Sequence, residues 1–453
     1  MPGSSASSAY IQYVEEADNA ANKVSQRKQN GIRREYMNRT FDKKESWTNK
    51  ERKIRQDESL ARMVKLGYEK SAQLKEIFDA QKINPAKIKS REDLERLPVT
   101  SREKLVDMEM QEPPYAGLEN PEMHIDRIFT SPGPVYEPHL SENDYLWARA
   151  FFAAGIGPAD IALNAFSYHL VAAGLTFHNG LRKVGATVVP SGTSSSQIQV
   201  QLIKDLQVTA YVGTPSFLMA IIIKTKEMGF DFKKDFQLKK ACFAAEPLSA
   251  NLRRNFENEY GIDTYQMYGA TEVGDVAYEC SQKNGWHICE ETIVEIIDPT
   301  TGKSLPSGEL GEVVVTRLNE IFFLLRFGTG DLSRLITEPC PCGRTSYRLT
   351  GIAGRVGDAV KVRGLFLAPS QLKMIQAKLN NIPLQAVVNR KGHEDILKIV
   401  IEKIAPEIGS AQWEQSFKNF FKEICTVKVD QVEYVDKGKI KLEEKLIVDQ
   451  RQW

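Results

Sequence analysis

The sequence predicts an α/β protein in two parts. A large N-terminal domain carries mixed and parallel sheets flanked by helices, plus an antiparallel meander, and a small α+β domain follows. Three observations carry this reading. From about Asp126 to Thr350, short apolar runs alternate with amphipathic stretches, the order that builds parallel sheets covered by helices. Two β-branched runs bracketing a Pro/Gly turn read as antiparallel strands. A turn-rich stretch, Gly351 to Gly364, then precedes a last mixed segment of about ninety residues. At 453 residues the chain exceeds what one core supports.

In order, residues 1–58 read as a basic helical extension. Between Lys23 and Glu58 twelve Lys/Arg stand against six Asp/Glu, with Tyr36, Phe41 and Trp47 interleaved. A solvated extension or a subunit contact explains this better than a nucleic-acid patch. Helical periodicity begins at Leu60 and runs through Tyr68, Leu74, Ile77 and Phe78. Ser90, with Asp93 three positions on, is a capping pair, and Thr100-Ser101 after Pro98 offers another helix start.

Ile161–Phe166, Ala186–Pro190, Ala210–Gly213 and Lys240–Ala245 are strand-like. Gln197–Leu206, Ser216–Gly229 and Ala250–Tyr260 are helical. The meander is Val294–Ile297, a turn at Asp298–Gly302, and Glu312–Thr316. The expected division is an extension over 1–58, a large domain over 59–354 and a small domain over 355–453, with a hinge near Gly357.

Net charge is +1, so whole-chain electrostatics select no anionic partner. No uncharged apolar run reaches the length of a membrane span, and the first residues lack the pattern of a secretion signal. Six cysteines in so long a chain do not make a disulfide framework. The expectation is a cytoplasmic protein that binds neither nucleic acid nor membrane; a homodimer stays open.

Tyr268-Gly269-Ala270-Thr271-Glu272 joins an aromatic ring, a glycine, a hydroxyl and a carboxylate. Such a set suits a nucleotide: a ring to stack on a base, a backbone that can be approached closely, a hydroxyl for phosphate and a carboxylate for Mg²⁺. Cys280, His287, Cys340 and Cys342 form a second constellation, Cys-x6-His and then a distant Cys-Pro-Cys. Thiolates and imidazole are zinc ligands, and four of them make a closed structural site. Cys289 is a spare candidate; Cys242 and Cys425 read as core residues.

Several motifs occur in order: Ala244-Ala245-Glu246-Pro247, Tyr268–Glu272, Arg326-Phe327-Gly328-Thr329-Gly330-Asp331-Leu332, Pro341-Cys342-Gly343-Arg344-Thr345 and Gly354-Arg355-Val356-Gly357-Asp358. Over roughly Leu60 to Trp453 the chain resembles the phenylacetate–CoA ligases, a branch of the adenylate-forming acyl-CoA ligases. The resemblance implies a two-step reaction. A carboxylate attacks the α-phosphate of ATP to give an acyl adenylate, and CoA then displaces AMP. It also implies that the small domain is mobile and rotates between the steps.

Glu246 and Pro247 would line the adenine pocket under Tyr268 and Gly269. Thr271 would contact the α-phosphate and Glu272 would ligate Mg²⁺. Asp331 would hold the ribose hydroxyls, with Arg355 beside the ribose or phosphate. Phe166, Tyr168 and His169 would face an aromatic or related acid. A C-terminal lysine would orient the reacting groups. A short insertion makes it Lys439, in a Gly438-Lys439 pair, with Lys441 and Lys445 in reach, whereas an ungapped match puts Glu443 there.

The stretch Thr130 to Pro138 departs from the family's phosphate-gripping loop. Pro134, Val135, Tyr136 and Glu137 stand where the pattern has hydroxyls, Gly and Lys. Prolines remove donors and a carboxylate repels triphosphate. Two alternatives therefore stand beside the ligase: an adenylyltransferase without CoA transfer, and a non-catalytic nucleotide- or acyl-adenylate-binding homologue.

Overall fold

The computed structural model describes residues 40–131, 135–363, 365–391, 394–441 and 445–451. Most of the basic extension (1–39), Pro132 to Pro134 of the phosphate-loop stretch, Gly364 and Glu443 lie outside them.

A nine-stranded sheet forms the centre. Thr187–Val189, Ile161–Asn164, Ala210–Gly213, Lys240–Phe243 and Asp263–Ala270 lie side by side in that order, all parallel. Gly274–Glu279, Trp286–Ile288, Arg348–Leu349 and Leu335–Ile336 extend it antiparallel. The parallel half is read from continuous apolar runs because both of its faces are covered. Helices Ala172–Lys183, Ser196–Asp205 and Pro215–Glu227 follow strands in this half. The last starts with Thr214 accepting from the Phe217 N–H and Pro215 in its first turn, a matched cap and opener. The helix expected over Ala250–Tyr260 breaks at Arg254 and continues as a π turn, Asn255–Glu259.

A second sheet orders Thr100–Ser101, Phe327–Ser333, Gly311–Arg317 and Thr292–Ile297, with Gly354–Arg355 also paired to Phe327–Ser333. The expected meander is its Thr292–Ile297 and Gly311–Arg317 pair. A single helix, Asn49–Lys70, runs through residue 58; Arg52 and Gln56 on it are buried, as are Leu60, Met63 and Val64.

The stretch that departs from the phosphate-loop pattern is mostly strand. Arg127–Ser131 and Val135–His139 pair as an antiparallel hairpin that closes at Ser131 and Val135. Tyr136 and Glu137 therefore belong to a strand, and only three residues are left between the strands. The physical reason is burial: Val135, Glu137 and His139 all face inward, which register with Phe129 and Arg127 reinforces.

Beyond the hairpin Val360–Val362 and Leu365–Leu367 comes the small α+β unit. Its sheet orders Gln431–Asp436, Glu394–Lys403, Leu384–Lys391 and Ile447–Asp449, backed by helices Pro369–Lys378 and Ala411–Cys425. It has its own core, including Leu372, Ile375, Leu397, Ile399 and Phe421.

Candidate active site

Strand Asp263–Ala270 delivers the nucleotide-like motif to the middle of the large sheet, where its parallel neighbours stop. The crevice beyond the carboxyl ends of parallel strands is where ligands bind in such sheets. A cavity of about 440 Å³ opens there. Gly269, Ala270, Thr271 and Glu272 form one wall, and Trp147, Phe166, Phe177 and Phe322 line its apolar part. Trp147 meets Phe177 edge-to-face at 4.9 Å, and Phe166 meets it at 5.0 Å.

Gly269 earns its place by contact. A Cβ there would stand 2.3 Å from the Gly274 carbonyl oxygen and 3.0 Å from the Trp147 ring. What approaches this backbone closely is thus the cavity's own aromatic wall.

Next to the wall, Tyr268 and Asp331 are tied together. The Tyr268 hydroxyl donates to Asp331 Oδ2 at 2.9 Å, and Arg355 Nε donates to Oδ1 at 3.0 Å. Asp331 and Arg355 are also direct cross-strand partners. Burial pushes the Asp331 carboxyl up, and Arg355 and Tyr268 pull it back. The nearby Arg326 is not its partner: that fully buried guanidinium pairs with Glu295 and donates to the Leu97 and Gly302 carbonyls. Tyr268 rests one side of its ring toward Trp286, at 5.8 Å.

Glu272 is 5% exposed. Arg102 pairs with its Oε1, while its Oε2 accepts no hydrogen bond among the described residues. One carboxylate oxygen at the cavity wall is thus available to a cation, which fits a Mg²⁺ ligand.

The remaining candidates are more scattered. Glu246 and Pro247 are exposed, and Glu246 accepts from the Ser216 hydroxyl at 2.8 Å. Phe166 lines the cavity. Tyr168 turns instead to Asn164 and His178, at 2.9 and 3.1 Å, and His169 is exposed. Lys439 is exposed in the turn after Gln431–Asp436, its N–H donating to the Asp436 carbonyl. Sequence reasoning missed Trp147, Phe177, Arg317, Asn319, Lys44 and Glu291, which also line the cavity. Their signal is weak in one dimension, because a helix, a strand and the start of the chain bring them together.

Cys280, His287, Cys340 and Cys342 converge. All four are buried, with ligand atoms within 4.8 Å of one another, the one such group among the described residues. Cys280 and Cys340 sulfurs are 3.7 Å apart, and Cys342 Sγ is 3.4 Å from His287 Nε2. Metal–sulfur bonds of about 2.3 Å in a tetrahedron make edges of about 3.8 Å. His287 Nδ1 faces the Ser346 carbonyl at 3.3 Å, the outer contact that aims Nε2 at a metal. The donor set fits zinc.

The AMP-binding enzyme family profile matches residues 140–319. The phenylacetate–coenzyme A ligase of Thermus thermophilus is 32% identical over 372 residues, covering 78% of this chain and 82% of the relative. That of Aromatoleum evansii is 33% identical over 365 residues, covering 77% and 81%. Among solved structures, an open conformation of 2-hydroxyisobutyryl-CoA ligase superposes with a TM-score of 0.76 at 22% identity. It covers 90% of this chain and 93% of its own, a likeness of fold. On the strength of these relatives, the chain belongs to the phenylacetate–coenzyme A ligase family of AMP-binding enzymes.

Proposed function

We propose that this protein is an AMP-forming acid–thiol ligase that converts an aromatic or related carboxylic acid to its acyl adenylate and then to the CoA thioester. The observation that carries this is the Tyr268–Asp331–Arg355 chain beside the Thr271–Glu272 wall of an aromatic-lined cavity. Asp331 suits a ribose diol because a fixed carboxylate accepts two hydrogen bonds at once. Arg355, 65% exposed at its side chain, is free to yield its place to the sugar. Thr271 is assigned to the α-phosphate, with Gly269 beside it on the same cavity wall. Mg²⁺ held by Glu272 Oε2 would supply charge neutralisation on the phosphates. Glu246 and Pro247 are assigned to the rim of the adenine pocket.

Phe166, Trp147 and Phe177 suit an aryl or alicyclic group. Tyr168 serves this wall through Asn164, and His169 is assigned to its outer edge. Lys439 is assigned to adenylation, brought in by rotation of the small unit about the segment near Gly357. Zinc at Cys280, His287, Cys340 and Cys342 is structural, since all four positions are protein ligands. The buried, unpaired cysteines favour a reducing compartment, the cytoplasm, and a homodimer is the proposed assembly.

The test is AMP release from ATP, Mg²⁺ and CoA across a panel of acids, read by mass spectrometry. AMP with an acyl-CoA product is expected. In Asp331→Ala, kcat/KM for ATP should fall by about 10–100-fold, the loss of one or two charge-assisted hydrogen bonds. Firm AMP binding without turnover of any acid would instead support a nucleotide-binding homologue, the reading that the short Ser131-to-Val135 closure favours.

A further inference from the structure

Glu137 stands out because neither the nucleotide site nor the metal cluster uses it. It is 9% exposed and lines the cavity together with His139 and the aromatic wall. Its Oε1 lies 3.9 Å from His139 Nδ1, and its Oε2 accepts no hydrogen bond among the described residues. Asp275, 3% exposed, lines the same cavity and likewise has an unpartnered oxygen, Oδ2. Its Oδ1 is taken by Arg317 at 2.9 Å.

A buried acceptor without a donor costs free energy unless a ligand supplies the donor. Native proteins retain few such groups, and each calls for an explanation. A pocket with aromatic walls and buried carboxyl oxygens left without a donor is complementary to a flat ring carrying a hydrogen-bond donor. Such a site rejects the analogue that lacks the donor, because the carboxyl is then left unpaired.

We infer that Glu137 is a specificity-determining residue of the acyl pocket, and that the favoured acid is an aromatic carboxylic acid bearing a hydroxyl or amino substituent that donates to Glu137. This rests on the ligase reading above and deepens it by naming the substrate class. Burial raises the Glu137 carboxyl, as does the charge of Glu272, while His139 and Arg317 oppose the shift. A carboxyl in that setting accepts from a neutral hydroxyl without first being ionised.

The experiment compares unsubstituted, ring-hydroxylated and ring-aminated benzoic and phenylacetic acids in the full-length enzyme. AMP release and direct calorimetric binding of each acid are both read, for wild type, Glu137→Gln and Glu137→Leu. Wild type is expected to favour a donor-bearing acid over its parent at least tenfold in kcat/KM and in Kd. Glu137→Leu should erase that preference, its loss on the donor-bearing acids exceeding any loss on the unsubstituted ones at least tenfold. Glu137→Gln, which keeps a carbonyl acceptor, should retain much of the preference for both the hydroxyl and the neutral arylamine, so it separates loss of the acceptor from loss of the carboxyl.

Wild-type preference for the unsubstituted acids, or an equal loss on all acids in Glu137→Leu, would overturn the inference. Absence of AMP with every acid would sink the ligase reading alone. Binding would then decide the role of Glu137: donor-selective Kd values lost in Glu137→Leu uphold it, and unselective ones overturn it.

Discussion

Glu109 shows what a single residue does to this site. It sits on helix Arg102–Gln111 with its carboxylate 1% exposed, accepting from the Tyr136 N–H at 2.8 Å. Burial, reinforced by the charge of Glu272, raises it to about 7 against the pull of Tyr136 and Arg102. A carboxyl raised on folding disfavours the folded state wherever it must be ionised, so the cost is present above pH 7. It fades as pH falls through 7 and is gone below about 4.5, where the unfolded chain also takes up the proton. Glu109→Gln, which keeps the acceptor for Tyr136, is therefore expected to raise Tm by about 2–4 °C at pH 8. It should leave Tm unchanged near pH 4.5. A gain that is the same at both pH values would refute this account. Gly269→Ala belongs to the same scale. Its Cβ would collide with the Gly274 carbonyl and push on Trp147, so binding of the acid should weaken about tenfold or more, as overpacking of about 1–3 kcal/mol implies. Titration of the acid by calorimetry measures it.

Between elements, the short helix Lys43–Ser46 is clamped to the Cys280–His287–Cys340–Cys342 group. Glu45, 1% exposed, accepts from the Tyr278 hydroxyl at 2.6 Å and pairs with Arg344, itself 2% exposed. The Arg344 N–H in turn points at Cys342 Sγ, at 3.4 Å. Lys44 on the same turn reaches Glu291 at 2.7 Å, and both line the cavity. Glu45→Ala removes the buried carboxylate that pairs with Arg344 and accepts from Tyr278, and should destabilise the protein by about 3–5 kcal/mol, read by chemical denaturation. Elemental analysis should find one zinc per chain, absent in a Cys340→Ser, Cys342→Ser double variant. Chelation should lower Tm and speed tryptic cleavage at Lys43 and Lys44, because the metal stabilises only the folded cluster. An unchanged cleavage pattern after metal removal would rule out the coupling.

Across the whole molecule, the small unit has a separate core, and among the described residues a minor apolar cluster, including Leu310, Leu332 and Ala368, is shared with the large one. Little burial opposes rotation at such a junction. If Lys439 reaches the acid only during adenylation, Lys439→Ala should slow that step by about 10²–10³-fold, the scale of one lost transition-state contact. Thioester formation from a preformed acyl adenylate should stay within a few-fold. Equal losses in both steps would reassign Lys439 to structure, and Lys445→Ala is the control.

The sequence alone determined the parallel strands, the meander, the Tyr268–Glu272 motif and the four zinc-type ligands, because local periodicity and side-chain chemistry carry each of them. Only the tertiary structure decided that Glu137 is a buried strand residue, since its neighbours across the hairpin and the cavity come from distant segments. It also decided that Asp331 pairs with Arg355 while Arg326 pairs with Glu295. The same holds for Trp147, whose ring reaches the site through a space that Gly269 leaves open. Which polar group goes unsatisfied is a property of the packed interior, where donors are counted after folding, and no linear pattern records that count.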